Sequence, residues 1–463
     1  MQYSIQRLKK VVNSSPILRI DPDFFHPTYL AVENKLSDIS TSSMFQKGVK
    51  VIHPNEIKRN FVSENGVQFV RAQNVRPFFF NTNANPVFIS KPDSKRLSKN
   101  VITHGDILLT RTGANFGQCC LYIEEVESTA SSHTFIIKSG TIEPAFLVVL
   151  LNTTYGRQIL DKNMYGAAQQ ELAPYAIYNF PAPDFTKDFE WKIASLFVDA
   201  NELLNQSKKY PQQAETLLLT ELGLENWQPK KQLSFVANYA EVEDANRFDA
   251  DYFQPHYKEL LERISEQQVK LHHFGEKVQL RNKNYRPIAE KEYRYIELSN
   301  IGANGEITGF SKELGKKLPS RARRIVRKGD VIISSIEGSI DSVALISDKE
   351  DGALCSTGFH IAHSEIYNPE TLLVLMKSII GQLQLERGCN GTILTSISKG
   401  ELNRLKLPEI NEATQEQLKQ LVQQMYDDRD ATKRLLETAK RAVEIAIEED
   451  EVAAFRFIEN EAT

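Results

Sequence analysis

The chain has 463 residues, 41% hydrophobic and 25% charged, which is enough apolar material for two to four ordinary domains. Its formal net charge of −4 excludes a protein that coats nucleic acid by total charge, so any such site must be a local patch. The opening MQYSIQRLKK lacks the apolar core of a secretory leader, no apolar run nears the ~20 residues of a membrane helix, and four cysteines without CxxC spacing suggest no disulfide framework, so the expected setting is cytoplasmic, with no membrane partner.

Along the chain, the first distinctive phrase is RIDPDFFHPTY, Arg19 to Tyr29. FVRAQNV follows at Phe69–Val75, then HGDILLT at His104–Thr110, where Gly-Asp turns into a β-branched apolar run that reads as a buried strand. The segment Pro144–Leu160 has proline in its first turn and apolar spacing of three and four, predicting a helix. YNFPAP at Tyr178–Pro183 closes this part. Asp188–Leu222 then carries Ile193, Leu196, Phe197, Ala200 and Leu203 on one stripe, and Pro211 predicts a kink or restart near Tyr210.

The same order then recurs. RFDADYFQPHY (Arg247–Tyr257), YIELSNI (Tyr295–Ile301), KGDVIIS (Lys328–Ser334), the helical pattern Pro369–Leu385 and NRLKLP (Asn403–Pro408) repeat the first set at offsets of 224 to 228. So long a period suits two homologous domains, since solenoid repeats run roughly 20–50 residues. From Asn411 to about Glu449 there is no Pro or Gly, and Leu418, Leu421, Val422, Met425, Leu435, Ala439, Ala442 and Ala446 fall mostly on one stripe. A helix of that span would be about 58 Å long. The expected fold is mixed α/β (α+β) in each of two duplicated units, each followed by a long helix. The boundaries read as 1–183, 184–232, 233–408 and 409–463.

Two similar units on stiff helices form a ruler, and DNA presents equivalent groove faces about 34–36 Å apart. Because the units differ in sequence, the expected target is asymmetric and bipartite. The paired GDILLTRTGANFG (Gly105–Gly117) and GDVIISSIEGS (Gly329–Ser339), with YNFPAP and NRLKLP, resemble the specificity (HsdS-type) subunit of type I restriction–modification systems, over about Arg19 to Glu449. The resemblance implies two target recognition domains separated by long antiparallel helices that form a coiled-coil-like spacer. It also implies double-stranded DNA as target, with methyltransferase and restriction subunits as partners. S-adenosylmethionine would sit in the methyltransferase, with no cofactor in this chain. Alternatives are a specificity subunit serving a fused restriction–methylation enzyme or another phage-defence complex, a metal-dependent nuclease, and a protein-interaction scaffold.

Candidate DNA contacts follow from side-chain chemistry, since Arg pairs with guanine and Asn with adenine. In the first unit they are Arg71, Gln73, Asn74 and Arg76, and Thr110, Arg111, Thr112 and Asn115 around Gly113 and Gly117. In the second, RNKNYR supplies Arg281, Lys283, Asn284 and Arg286. Lys312–Lys328 supplies Lys316, Lys317, Arg321, Arg323 and Arg324 within eight cations against Glu313, a composition suited to phosphate neutralisation. A strand turn or a solvated charged face is the plainer reading of each.

Arg19-x-Asp21-x-Asp23 and Arg247-x-Asp249-x-Asp251 offer carboxylate pairs for a metal, yet Asp beside Arg also suits ion pairing or capping, which we favour. Pro183-Asp184 with Glu190-x-Lys192 mimics a nuclease motif but spans a domain-closing segment and a helix start. His360-x-x-His363 lacks a third ligand, and there is no amino-methyltransferase motif or P-loop. The expectation is a non-catalytic subunit without a metal.

Overall fold

A computed structural model describes residues 8–13, 19–58, 60–82, 85–166, 170–390 and 395–461, so the opening segment read above for a leader lies largely outside the described residues. The chain divides into two compact units, Met1–Leu204 with Asp430–Thr463, and Asn205–Arg429.

The first unit is built on a sheet whose strands run, in spatial order, Lys50–Ile52, Thr134–Lys138, Ile107–Thr110, Cys119–Leu121 and Phe78–Phe79. A second sheet holds Phe61–Val62, Phe88–Ile89, Val67–Val70, Ser128–Ala130 and Val101–Ile102. The second unit repeats the core of both: Gln279–Leu280, Phe359–His363, Val331–Ser334 and Val343–Leu345 in one sheet, Ser311–Leu314, Glu292–Ile296, Leu354–Ser356 and Ala322–Ile325 in the other. Register repeats as well. Leu109 faces Cys119 as Ile333 faces Val343, and the parallel pair Phe69–Thr129 matches Tyr295–Leu354. The duplication written in the sequence is therefore a duplication of topology.

The apolar runs ILLT and VIIS are buried along their whole length because both faces are covered. Ile107 and Leu109 join the helical core while Leu108 joins the second sheet's core, and Val331 and Ile333 divide from Ile332 in the same way. Each strand is opened by its Gly-Asp pair. Gly105 and Gly329 hold positive φ (84° and 81°), a conformation glycine adopts without steric cost. Asp106 then accepts the Thr103 amide at 2.9 Å, and Asp330 that of Arg327 at 2.8 Å.

The helical segment predicted over Pro144–Leu160 is two helices, Pro144–Asn152 and Thr154–Lys162, and its counterpart is Pro369–Lys377 and Ile379–Gly388. The break comes from Thr153 and Ser378, both extended, whose hydroxyls turn back onto the carbonyls of Leu150 (2.6 Å) and Leu375 (2.8 Å). Thr153 also accepts the Gly156 amide at 3.0 Å as N-cap of the second helix. The corner is tight: a Cβ on Gly381 would lie 2.5 Å from the Leu375 carbonyl oxygen, and Gly156 stands against Leu150 likewise.

The long helices are present. Lys187–Ser207 stops and Tyr210–Glu221 restarts with Pro211 in its first turn, and Glu412–Glu448 runs unbroken for 37 residues, about 55 Å. Each unit holds an antiparallel helix pair. In the first, Phe189, Ile193, Phe197 and Ala200 pack with Leu436, Ala439, Val443 and Ala446, and Thr432 donates to the Ala200 carbonyl. In the second, Ala214 and Leu218 pack with Leu418, Val422 and Met425.

Candidate nucleic-acid interface

The repeated charged and aromatic phrase is a clip. Arg19 grips Asp21 with two guanidinium nitrogens, one at 2.8 Å, and Arg247 grips Asp249 at 2.8 and 3.0 Å. The same carboxylates accept the amides of Phe24 (3.0 Å) and Tyr252 (3.1 Å). Each arginine also donates to carbonyls just beyond the second helix of its pair, Met164 for Arg19 and Cys389 for Arg247, the latter also reaching Arg387 at the helix end. Hydrogen bonding to the arginine holds both carboxyls below the usual range. Among the described residues no cluster of three or more His, Cys, Asp or Glu could hold a metal, and Asp23 and Asp251 are exposed.

The other apparent chemical signals resolve into local structure. Asp184 pairs with Lys47 at 2.6 Å and accepts from Ser40 and Ser42, while Glu190 is buried, pairing with Lys187 and accepting the Glu143 amide at 3.1 Å. His360 lies buried in the strand Phe359–His363 against Asn282 and the Ile397 carbonyl, its pKa lowered by burial, and His363 approaches Asp330 at 3.6 Å. All four cysteines are buried, and burial raises their thiol pKa values.

The first unit's candidates are mostly turned inward, which corrects the surface-loop expectation for several of them. Asn74 is buried, accepting the Arg71 amide (3.0 Å) and donating to the Asn81 carbonyl (3.0 Å); Asn300 repeats the first bond with Glu297. Thr110 is fully buried within its strand, and Thr112 is buried with its hydroxyl 2.8 Å from His133. Arg111 is largely covered. It pairs with Glu171, reaches His53 at 2.6 Å and the Ser132 carbonyl at 3.2 Å, and stacks over Phe135. Arg71 donates to the Asn85 carbonyl. Arg76 contacts Gln118 at 3.4 Å and Asn115 the Ala72 carbonyl at 3.4 Å, both loosely, and with Gln73 these remain half-buried at the surface.

In the second unit, two basic segments separate in sequence become one surface. The Tyr285 amide donates to the Arg323 carbonyl at 2.6 Å, Asn284 bridges to Arg324, and the Lys316 amide donates to Ala289 at 3.0 Å. Arg281–Arg286 is thereby laid along the strand Ala322–Ile325. Lys283, Asn284, Arg286 and Lys317 are exposed there. Lys316 meets Glu290 at 3.1 Å and Arg321 meets Glu297 at 3.1 Å, both as solvent-facing pairs. Arg323 donates to the Ser320 carbonyl at 2.8 Å. Arg281 is half committed to the buried Asp330 at 3.1 Å, whose pKa burial raises. Arg324 is the exception: its guanidinium turns inward onto the Phe359 carbonyl, and burial lowers its pKa.

Beside this surface lies a cleft of about 470 Å³, lined by Tyr285, Lys291, Tyr293, Arg294, Lys312 and Arg327 among others, with the two tyrosine hydroxyls 2.9 Å apart. Sequence reasoning missed Lys291, because EKEYR averages to little net charge over a window; only the strand's pairing brings it to Lys312 and Arg327. The offset places Asn65, Gln68 and Thr103 of the first unit where the second has Lys291, Arg294 and Arg327. These three positions are thus basic in the second copy and uncharged in the first.

No protein-family model matches the chain, and no curated protein matches it either. Among solved structures it is similar to the type I restriction–modification S subunit from M. genitalium, at 12% identity and TM-score 0.43, over 91% of this chain and 95% of that one. It is also similar to the HsdS subunit from Thermoanaerobacter tengcongensis, at 12% identity and TM-score 0.27, over 90% of this chain and 96% of that one. The type IIG restriction endonuclease BpuSI matches 38% of this chain and 28% of its own, at 10% identity and TM-score 0.29.

Proposed function

We propose that this chain is the DNA-specificity subunit of a type I restriction–modification complex. Its two units each read one half of an asymmetric, bipartite duplex site, and its long helices set the half-site spacing and hold methyltransferase subunits. S-adenosylmethionine binds and methylation occurs on those methyltransferase subunits, and restriction subunits join to carry out cleavage.

The observation that carries the reading is the pairing of one repeated topology with two unlike surfaces. Two copies of a fold conserve how each unit is built while leaving the exposed chemistry to differ, as unequal half-sites require. The second unit's merged basic surface supplies the electrostatic part. Cations positioned by strands neutralise phosphates and fix register, and exposed Asn284 and Arg286 beside them offer base-edge chemistry. The ion-paired Asp21 and Asp249, each used to hold its own loop, argue against a nuclease reading.

The test is a domain exchange. Replacing Arg19–Pro183 by the equivalent unit of a related subunit, in cells carrying the partner genes, should change one methylated half-site and leave the other intact. Methylome sequencing with both halves altered, or with no methylation dependent on this chain, would overturn the assignment.

A further inference from the structure

The cleft of about 470 Å³ beside the second unit's basic surface holds more hydrogen-bond donors than acceptors. Tyr293, buried against the sheet, accepts the Ile288 amide at 3.0 Å and shares a hydrogen bond with the Tyr285 hydroxyl at 2.9 Å. Each hydroxyl carries one proton, so whichever tyrosine donates in that bond, the other proton of the pair is left over. Among the described residues nothing accepts it. Its acceptor must come from solvent or from a ligand.

The charges around the hydroxyls favour a ligand. Lys291, Lys312 and Arg327 line the same cleft, and among the described residues none of the three is ion-paired. The Lys291 ammonium lies 5.4 Å from the centroid of the Tyr293 ring. Glu292 is the one acid of the lining and pairs with none of them. Arg294 takes no part, because its guanidinium is committed to the Lys349 carbonyl and, at 2.6 Å, to that of Asp351. Gly352, at φ +77°, leaves clear the point 3.5 Å from the Arg327 Nη1 where a Cβ would lie. Free cations beside a hydroxyl donor are the complement of an oxyanion.

The first unit shows that the fold does not need these groups. Its parallel pair Phe69–Thr129 matches Tyr295–Leu354, so two residues earlier on each strand Val67 takes the place of Tyr293, and Glu127 that of Gly352. Asn65 and Thr103 stand where the second unit has Lys291 and Arg327. The same topology is thus built without the buried hydroxyl and two of the cations, and with an acid added.

We infer that the cleft is an oxyanion seat, private to the second unit, that holds one backbone phosphate of the bound duplex. Lys291, Lys312 and Arg327 neutralise the phosphate while the spare tyrosine proton donates to one of its oxygens. The seat would fix the register of the chain on DNA from the second half-site. Naming DNA as the source of the phosphate rests on the specificity-subunit reading; the chemistry of the seat does not.

The first probe is inorganic phosphate, titrated into the full chain at constant ionic strength while the methyl resonances of Ile325, in the cleft wall, are followed by NMR. They should shift saturably. Tyr285→Phe with Tyr293→Phe alters no charge and should weaken phosphate binding about tenfold, since a hydrogen bond to a charged group is lost. Should that variant fail to fold, Lys291→Gln with Arg327→Gln, both exposed positions, should abolish the shifts instead. Absence of saturable shifts, or wild-type affinity in the variants, would overturn the seat. The second probe is the methylated target duplex with single methylphosphonate linkages, bound by the assembled complex. One linkage in one half-site should weaken binding for wild type and make no difference to Lys291→Gln with Arg327→Gln. Phosphate binding without such a linkage would overturn DNA as its source. Failure of the wild-type complex to bind the duplex at all would sink the specificity reading and leave the phosphate titration intact, so the two fail separately.

Discussion

Arginine 247 touches a carboxylate, a tyrosine ring and two backbone carbonyls at once. Hydrogen bonds to charged groups contribute about 1.5–3 kcal/mol each when buried. With Asp249 half exposed and solvent screening it, Arg247→Ala should cost about 2 kcal/mol of stability, read in a denaturant melt. Asp251→Ala, which loses only an exposed pair with Lys231, should stay within about 0.5 kcal/mol of wild type. A metal-binding role would make the two aspartates equally sensitive. The pH dependence has a definite sign. Because Arg247 lowers the Asp249 pKa, the clip's contribution is fully present above the unfolded aspartate value of about 3.9 and is lost as pH falls through the lower folded value. The Tm difference between wild type and Asp249→Asn should therefore hold from neutral pH to about pH 5 and shrink below it. The repeat itself was legible in the sequence, and so was a structural role for it. The carbonyls it grips, 140 and 142 residues away, were not.

At the scale of elements, the helix corners are the most exacting feature of each unit. Gly381→Ala places a methyl group 2.5 Å from backbone oxygen and 2.6 Å from the Met376 Cα, atoms that move only if the helix does. We expect a loss of about 1–3 kcal/mol, measured by chemical denaturation, against no comparable clash at Gly309, where a Cβ meets nothing within 4 Å. Thr153→Val removes the N-cap of the helix Thr154–Lys162 and should cost about 1 kcal/mol in the same assay. Helical periodicity ran straight through both corners in the sequence, because two short helices joined by one extended residue keep nearly the same apolar spacing. Proline 211, by contrast, marked its restart without help from tertiary contacts, since its ring excludes the preceding helical hydrogen bond.

For the whole molecule, the prediction concerns unequal halves. Lys317→Ala with Arg327→Ala should weaken DNA binding by the assembled complex evenly across sequences. It should also flatten the slope of log K against log salt by up to about two, if each side chain meets one phosphate. Arg324→Ala should act differently, lowering the second unit's stability, because that guanidinium is held by the Phe359 carbonyl inside the fold. Binding titrations across a salt series, beside thermal melts of the same variants, separate the two. An unchanged slope in the double variant would remove the basic surface from the interface.

The duplication, the Gly-Asp turns, the buried strands and the long helices were all determined by the sequence alone. They rest on local rules: a glycine for positive φ, a carboxylate closing a turn, an apolar period. Which cations face outward was decided only by the tertiary structure. Arg111 and Arg324 looked as available as Arg323, and they were withdrawn by partners 60 and 35 residues away, a glutamate and a carbonyl, that no sequence window contains. The joining of Arg281–Arg286 to Lys312–Lys328 has the same origin. Burial and charge neighbourhood are properties of packed surfaces, and those surfaces are assembled from segments far apart in the chain.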